Sequence, residues 1–157
     1  KHDKYKYRLM YVVLKLGDFD INNIFFLDRV KNTVMENSNF SRVIYSNETF
    51  SLNGIFVSFD IKLYNIEKSF NKYKCLFDIK NHDDIVIKIS NIEQHIMNRY
   101  KFEKKTPIYR IKDQLTNGFL KIFNEILYKE KNEFILKIYG IWETDTEYGL
   151  TYKFISV

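Results

Sequence analysis

The stretch Ile138–Phe154, IYGIWETDTEYGLTYKF, decides how the chain closes. Two apolar arms flank a short acidic turn, which reads as a β-hairpin. The stretch holds the only Trp of the chain and two of its five Gly. Side chains alternate along a strand, so Ile138, Gly140 and Trp142 are expected on one face and Tyr139, Ile141 and Glu143 on the other. Across the turn, Gly149, Thr151 and Lys153 oppose Tyr148, Leu150, Tyr152 and Phe154. A Gly within each arm has two readings. Either the strands coil sharply and Trp142 packs inside, or side chains are removed where something large approaches. The second reading puts Trp142 or Tyr148 on a groove wall where nucleobases stack.

Upstream the texture alternates between strands and one helix. Tyr5–Leu16 (YKYRLMYVVLKL) is β-branched and aromatic and reads as a strand. Ile24–Met35 reads as a short helix, followed by a loop at ENSNFS. SRVIYS and GIFVSFDIKLY read as strands joined by NETFSLNG, in which Asn53-Gly54 is a turn dipeptide. Ile55, Val57, Phe59, Ile61 and Leu63 form one apolar face of the second strand and belong in a core. Tyr73–Ile79 is a further strand. Ile85, Ile89, Ile92 and Ile96 recur at helical spacing, with Asp83 or Asn91 as cap; a strand over Ile85–Ile89 feeding a helix from Asn91 to Tyr100 is the competing reading. QLTNGFLKIF contains a second Asn-Gly turn with strands on either side, against a helix over Phe119–Tyr128.

The chain has 157 residues, 45% apolar and 17% aromatic, enough for a single buried core. We expect one domain over 1–157, with a core from about residue 41 to 157 and an N-terminal strand/helix extension. The fold class is mainly β with one or two helices: strands, a helix, then closing strands. That order fits an OB-like Greek-key barrel with the helix between the third and fourth strands, and an α+β sandwich is the alternative. Ala is absent while Ile, Asn, Lys, Phe and Tyr abound, the signature of an AT-rich genome. Lys and Tyr are therefore inflated for reasons unrelated to function. No apolar run reaches membrane-spanning length and no signal peptide opens the chain, so no membrane partner is expected. The chain starts with Lys, as a fragment or processed product does. Cys75 is the only Cys, which excludes an internal disulfide and a Cys-based zinc site within this chain. An intracellular, reducing location is the default.

A net charge of +5 suggests polyanion affinity. Cations lie beside aromatics at Tyr109-Arg110-Ile111-Lys112, at Lys121 between Phe119 and Phe123, and at Lys62 near Tyr64. Single-strand binders need this mixture, cations for phosphate and flat rings for bases. A solvated face in a Lys-rich, Tyr-rich proteome is the plain alternative for each pair. FILKIY followed by GIWETDTEYGLTYKF resembles the closing segment of single-stranded DNA-binding proteins of nucleocytoplasmic large DNA viruses. These are similar to the phage-T7-type single-strand binders, whose fold is an OB barrel. TPIYRIKDQLTNGFLKIF carries a fainter likeness, and the resemblance covers the last third of the chain. It implies sequence-tolerant binding of single-stranded DNA, or RNA, in viral DNA replication and recombination. Self-association or contact with replication proteins follows as a further implication. That family usually ends in an acidic tail; this sequence ends at Val157 without one.

Signals for catalysis are weak. Asp60-Ile61-Lys62 and Asp78-Ile79-Lys80 echo the D-x-K piece of metal-dependent nucleases, and His82-Asp83-Asp84 with Glu93 or His95 echoes a hard-metal site. Both are common by chance in such a sequence, so no catalytic residue, metal or cofactor is expected, and a nuclease is the remote alternative. The nucleic-acid-binding residues expected are Trp142, Tyr148, Tyr152 and Tyr109 for stacking, with Lys62, Arg110, Lys112, Lys121 and Lys153 for phosphate. A viral structural or protein-interaction module, such as a capsid or scaffold component, is the main alternative.

Overall fold

The computed structural model describes residues 13–124, 126 and 131–157. The final hairpin is its axis. Strands β11 (Asn132–Glu143) and β12 (Glu147–Ser156) pair in antiparallel register along their length. Strand β11 bonds on its other side to β6 (Ile55–Ile61) and, nearer the turn, to β4 (Asn39–Ser46). Strand β12 continues through β10 (Phe119–Ile122) and β8 (Lys72–Phe77) to β7 (Leu63–Ser69), and the short strands β5 (Ser51–Leu52) and β9 (Thr106–Ile108) pair with β4 and β12. The protein is thus mainly β with a mixed sheet. Strands β6 and β7 are one stretch of chain that bends at Lys62, so Ile55–Ser69 supplies strands to both ends of this run. The parallel junction of β10 with β12 is narrow, with Ile122 and Phe154 the one registered pair among the described residues.

The alternation read in the sequence builds the core. Phe59, Val57 and Ile55 on β6 face Phe134, Leu136 and Ile138 on β11, all of them buried. Each such side chain contributes about 1.5–3 kcal/mol by leaving water. Helix α1 (Asp83–Arg99) adds Val86, Ile89, Ile92, Ile96 and Met97 at three- and four-residue spacing. A short helix α2 (Arg110–Thr116) buries Ile111 and Leu115 beside it. Ile24, from the N-terminal segment, enters the same core.

Five readings need correction. Ile24–Met35 is not a helix: Ile24–Phe26 (β2) and Val30–Lys31 (β3) pair with β4. Asn32 then takes the Val34 and Met35 N–H groups onto its side-chain oxygen, a local turn that competes with helix. Helix α1 runs unbroken from Asp83, so Ile85–Ile89 is no strand. The Asn117-Gly118 turn joins α2 to β10, with a strand on one side only. A β-bulge at Tyr139 also changes the parity of β11, because Ile138 pairs with Tyr152 while Gly140 pairs with Thr151. Ile138 and Ile141 therefore both point into the core, while Tyr139, Gly140 and Trp142 turn to the outer face. The competing helix over Phe119–Tyr128 is excluded at Phe119–Ile122, which is strand. Residues 125, 127 and 128, like Tyr5–Val12 of the first strand reading, lie outside the described residues, and Leu14–Lys15 (β1) pairs in parallel with β6.

Candidate nucleic-acid interface

The outer face of the sheet carries a row of lysines. Lys137 on β11 stands directly opposite Lys153 on β12, and Lys121 on β10 directly opposite Lys74 on β8. The Ile122–Phe154 pairing sets Lys121 beside Lys153, so four adjacent strands present four ammonium groups side by side. Three strand intervals of about 4.8 Å make the row roughly 14 Å wide. Each of these lysines sits between two inward-pointing core residues: Tyr73 and Cys75, Leu120 and Ile122, Leu136 and Ile138, Tyr152 and Phe154. Lys72, two residues from Lys74, extends the positive surface. Glu67 opposes Lys74 on β7 and closes the row with the opposite sign.

Aromatic rings lie between these cations. The Lys74 ammonium is 4.7 Å from the Phe119 ring centroid, and that of Lys72 is 5.8 Å from Phe123. Lys137 is 5.1 Å from Phe56 and 4.8 Å from Tyr139, and Lys153 reaches Tyr139 at 6.0 Å. Phe123 is exposed, Tyr139 and Phe119 are half-buried, and Phe56 lies beneath the row. Like charges directly opposite each other on a sheet are destabilising. Two such pairs side by side form a surface suited to a polyanion.

The structure divides the nine residues expected from sequence. Lys121 and Lys153 stand together in the row. Tyr148 and Tyr152 lie on the inner face, because Leu150 and Phe154 between and beyond them fill the core. Tyr148 packs edge-on against Phe102, with centroids 5.1 Å apart. The Tyr152 hydroxyl meets the Gln114 side chain, and burial, opposed by that hydrogen bond, pushes its pKa up to about 12. Neither ring is offered to a base. Trp142 sits on the outer face but is 3% exposed, under the Arg110 guanidinium, whose carbon is 5.0 Å from the ring centroid. Tyr109 precedes α2, half-buried, and burial raises its pKa. Lys112 is exposed on α2, and Lys62 stands at the bend between β6 and β7, both away from the row.

Two buried carboxylates hold this end of the molecule. Glu93 of α1 accepts the N–H groups of Ile111 (3.0 Å) and Lys112 (2.9 Å), satisfying orphan donors at the start of α2 and fixing where Arg110 begins. Burial raises its pKa, and the two backbone hydrogen bonds only partly offset this. Glu143 is 2% exposed and bonds Arg29 at 2.8 Å and Lys105 at 2.7 Å. Burial acts to raise its pKa, but the hydrogen bonds from Lys105 and Arg29 outweigh it and hold the carboxyl below the usual range.

The D-x-K echoes meet in no metal site. Asp60 is 3.5 Å from Lys131, and Asp78 accepts the Lys80 N–H and the Asn81 amide at the start of a 3-10 turn. His82 takes the Lys62 N–H on Nε2, and its Nδ1 is 3.0 Å from the Asp78 carbonyl, so both ring nitrogens are occupied. An open cleft of about 620 Å³ runs beside them, lined by Leu16, Phe59, Asp60, Lys62, Ile85 and Lys131 among others. Among the described residues no three His, Cys, Asp or Glu side chains gather as a metal site, and no helix is long and apolar enough to cross a membrane. Compared with protein-family models, curated proteins and solved structures, the chain matches none.

Sequence reading missed Lys74, Lys72, Lys137 and Tyr139. A signal for all four row lysines was present in the chain: a lysine between two core residues of a strand must face outward. What the sequence withholds is the register that lines those strands up.

Proposed function

We propose that this chain binds single-stranded nucleic acid with little sequence preference, across the outer face of its sheet. The lysine row is the observation that carries the proposal. Four lysines lie within roughly 14 Å, set against one another in a way a stability-only sheet avoids, with rings between them for bases. Single strands are favoured over duplex because the rings lie among the cations and are useful only to unpaired bases.

An OB-type barrel is the fold we propose for this surface. The circuit from the bent strand Ile55–Ser69 through β8, β10, β12 and β11 back to β6 supports it, as does the parallel pairing of the third strand with the fifth. In this circuit the helices enter after the second strand, one position earlier than the sequence suggested. The resemblance of the closing hairpin to viral single-strand binders supports a place in DNA replication or recombination.

The test is fluorescence anisotropy of a labelled oligo(dT) across a salt series, with oligo(rU) in parallel. Engagement of four phosphates, by Lys153, Lys121, Lys74 and Lys72, contributes about −2.8 to the log–log slope, which alone is about a 50-fold affinity loss between 50 and 200 mM salt. Absence of binding at 50 mM salt would refute the proposal. A second reading, a protein-interaction module, is favoured by one observation: Phe25, Leu27, Val30 and Val34 are exposed along one N-terminal segment, Val34 at 94%. Concentration-dependent self-association, measured by sedimentation in the absence of nucleic acid and abolished by Val34→Ser with Phe25→Ser, would support that reading.

A further inference from the structure

We infer that Arg110 and Trp142 form a capped stacking position, in which a nucleobase takes the indole face that the guanidinium now covers. The inference rests on the binding reading above and names where a base is held. Trp142 opposes Gly149 in register on the outer face and stands outside the main hydrophobic cluster. Space for the indole is made by that glycine: a Cβ there would lie 2.8 Å from Trp142 Cζ2 and 3.0 Å from Cε2. The ring is therefore laid against bare strand and covered by Arg110.

Three features distinguish this from a finished core. Trp142 Nε1 is buried with no hydrogen-bond partner, a standing cost that a finished core avoids. Arg110 is exposed and makes no ion pair among the described residues, so the ring is its principal partner. Its backbone is anchored meanwhile by the Glu93 bonds to the next two N–H groups, which lets the side chain swing while α2 stays in place. The same construction recurs on the neighbouring strand. Phe40 opposes Trp142 on β4, Gly140 makes room for its ring (a Cβ would come within 2.7 Å), and the Arg42 guanidinium lies 5.9 Å from the ring centroid. A guanidinium and a base are both flat and both stack on an aromatic face, and a displaced guanidinium is well shaped for phosphate. Exchange of one for the other keeps the ring covered and gives Arg110 the anion it lacks.

Trp142 is the sole Trp, so its emission reports this position alone. The test compares oligo(dT) with an abasic oligonucleotide of equal length, following binding by anisotropy of a label and stacking by Trp142 emission. The expected result is emission quenching by oligo(dT) of about twofold or more, saturating with the anisotropy, because a stacked base contacts the ring. The abasic strand binds without quenching. Arg110→Lys keeps the charge without the flat cap: acrylamide quenching of the free protein rises, while the salt slope for oligo(dT) is retained. Arg110→Ala lowers that slope by about 0.7, one phosphate. Binding of oligo(dT) with unchanged Trp142 emission would overturn this inference and leave the binding proposal standing. Loss of the anisotropy signal itself would overturn both.

Discussion

Neutralising two lysines of the row should move stability and binding in opposite directions. In Lys121→Gln with Lys153→Gln, each directly opposed pair loses one member, and the Lys121–Lys153 neighbours across the parallel junction lose both. Two ammonium groups about 6 Å apart in water repel by about 0.7 kcal/mol, reduced to about 0.3 by physiological salt. Three relieved contacts give about 1–2 kcal/mol. Lys153 surrenders a cation–ring contact with Tyr139, but at 6.0 Å it is at the limit of such interactions and offsets little. The double variant should therefore melt about 2–8 °C higher, a domain of this size shifting by about 2–4 °C per kcal/mol. Its affinity for oligo(dT) at 0.1 M salt should fall about 25-fold, with the slope shallower by about 1.4, two phosphates fewer. Differential scanning fluorimetry and anisotropy on the same preparation read both signs. A melting temperature that falls, or a slope that does not move, would refute the reasoning, because the lysines would then be ordinary surface groups.

The other predictions concern the groups that frame this face. Glu143→Gln should cost about 1–3 kcal/mol in urea unfolding, since Arg29 and Lys105 lose a buried anion but can turn to solvent. Because the Glu143 pKa is lowered in the folded state, its contribution is present above the ordinary value of 4.5 and lost as pH falls through the folded value. The wild type should thus show an acid loss of stability that the Gln variant lacks, and parallel pH profiles would count against the clamp. Tyr152→Phe should cost about 1 kcal/mol, the bond to Gln114, and leave oligo(dT) affinity unchanged. A large affinity loss with normal melting would return Tyr152 to the binding surface.

The closing hairpin was legible because apolar residues recur at every second position along much of each arm around an acidic turn, and so was α1, whose Ile89, Ile92 and Ile96 recur at helical spacing. Ile24–Met35 misled because apolar residues three or four apart also arise when two short strands are separated by a turn. Only the pairing of Ile24 with Tyr45 and Val30 with Phe40, both long-range, decides it. For the candidate site, Lys121 and Lys153 were readable as outward-facing strand lysines, but their adjacency depends on one parallel pairing between segments more than 30 residues apart. Trp142 was misplaced relative to Ile138 because an alternation argument counts residues evenly, and the bulge at Tyr139 adds one that the partner strand does not match.

The narrow junction of β10 with β12 divides the lysine row, leaving Lys153 on one bank and Lys121 on the other. Among the described residues it is held by that one strand pair and by the two bonds between the Asn124 side chain and Ser156, so this seam opens more readily than the long β11–β12 pairing when the sheet breathes. A polymer lying along the row straddles the gap and sutures it. Occupancy should therefore register as slower amide exchange in β10, behind the surface that the polymer touches.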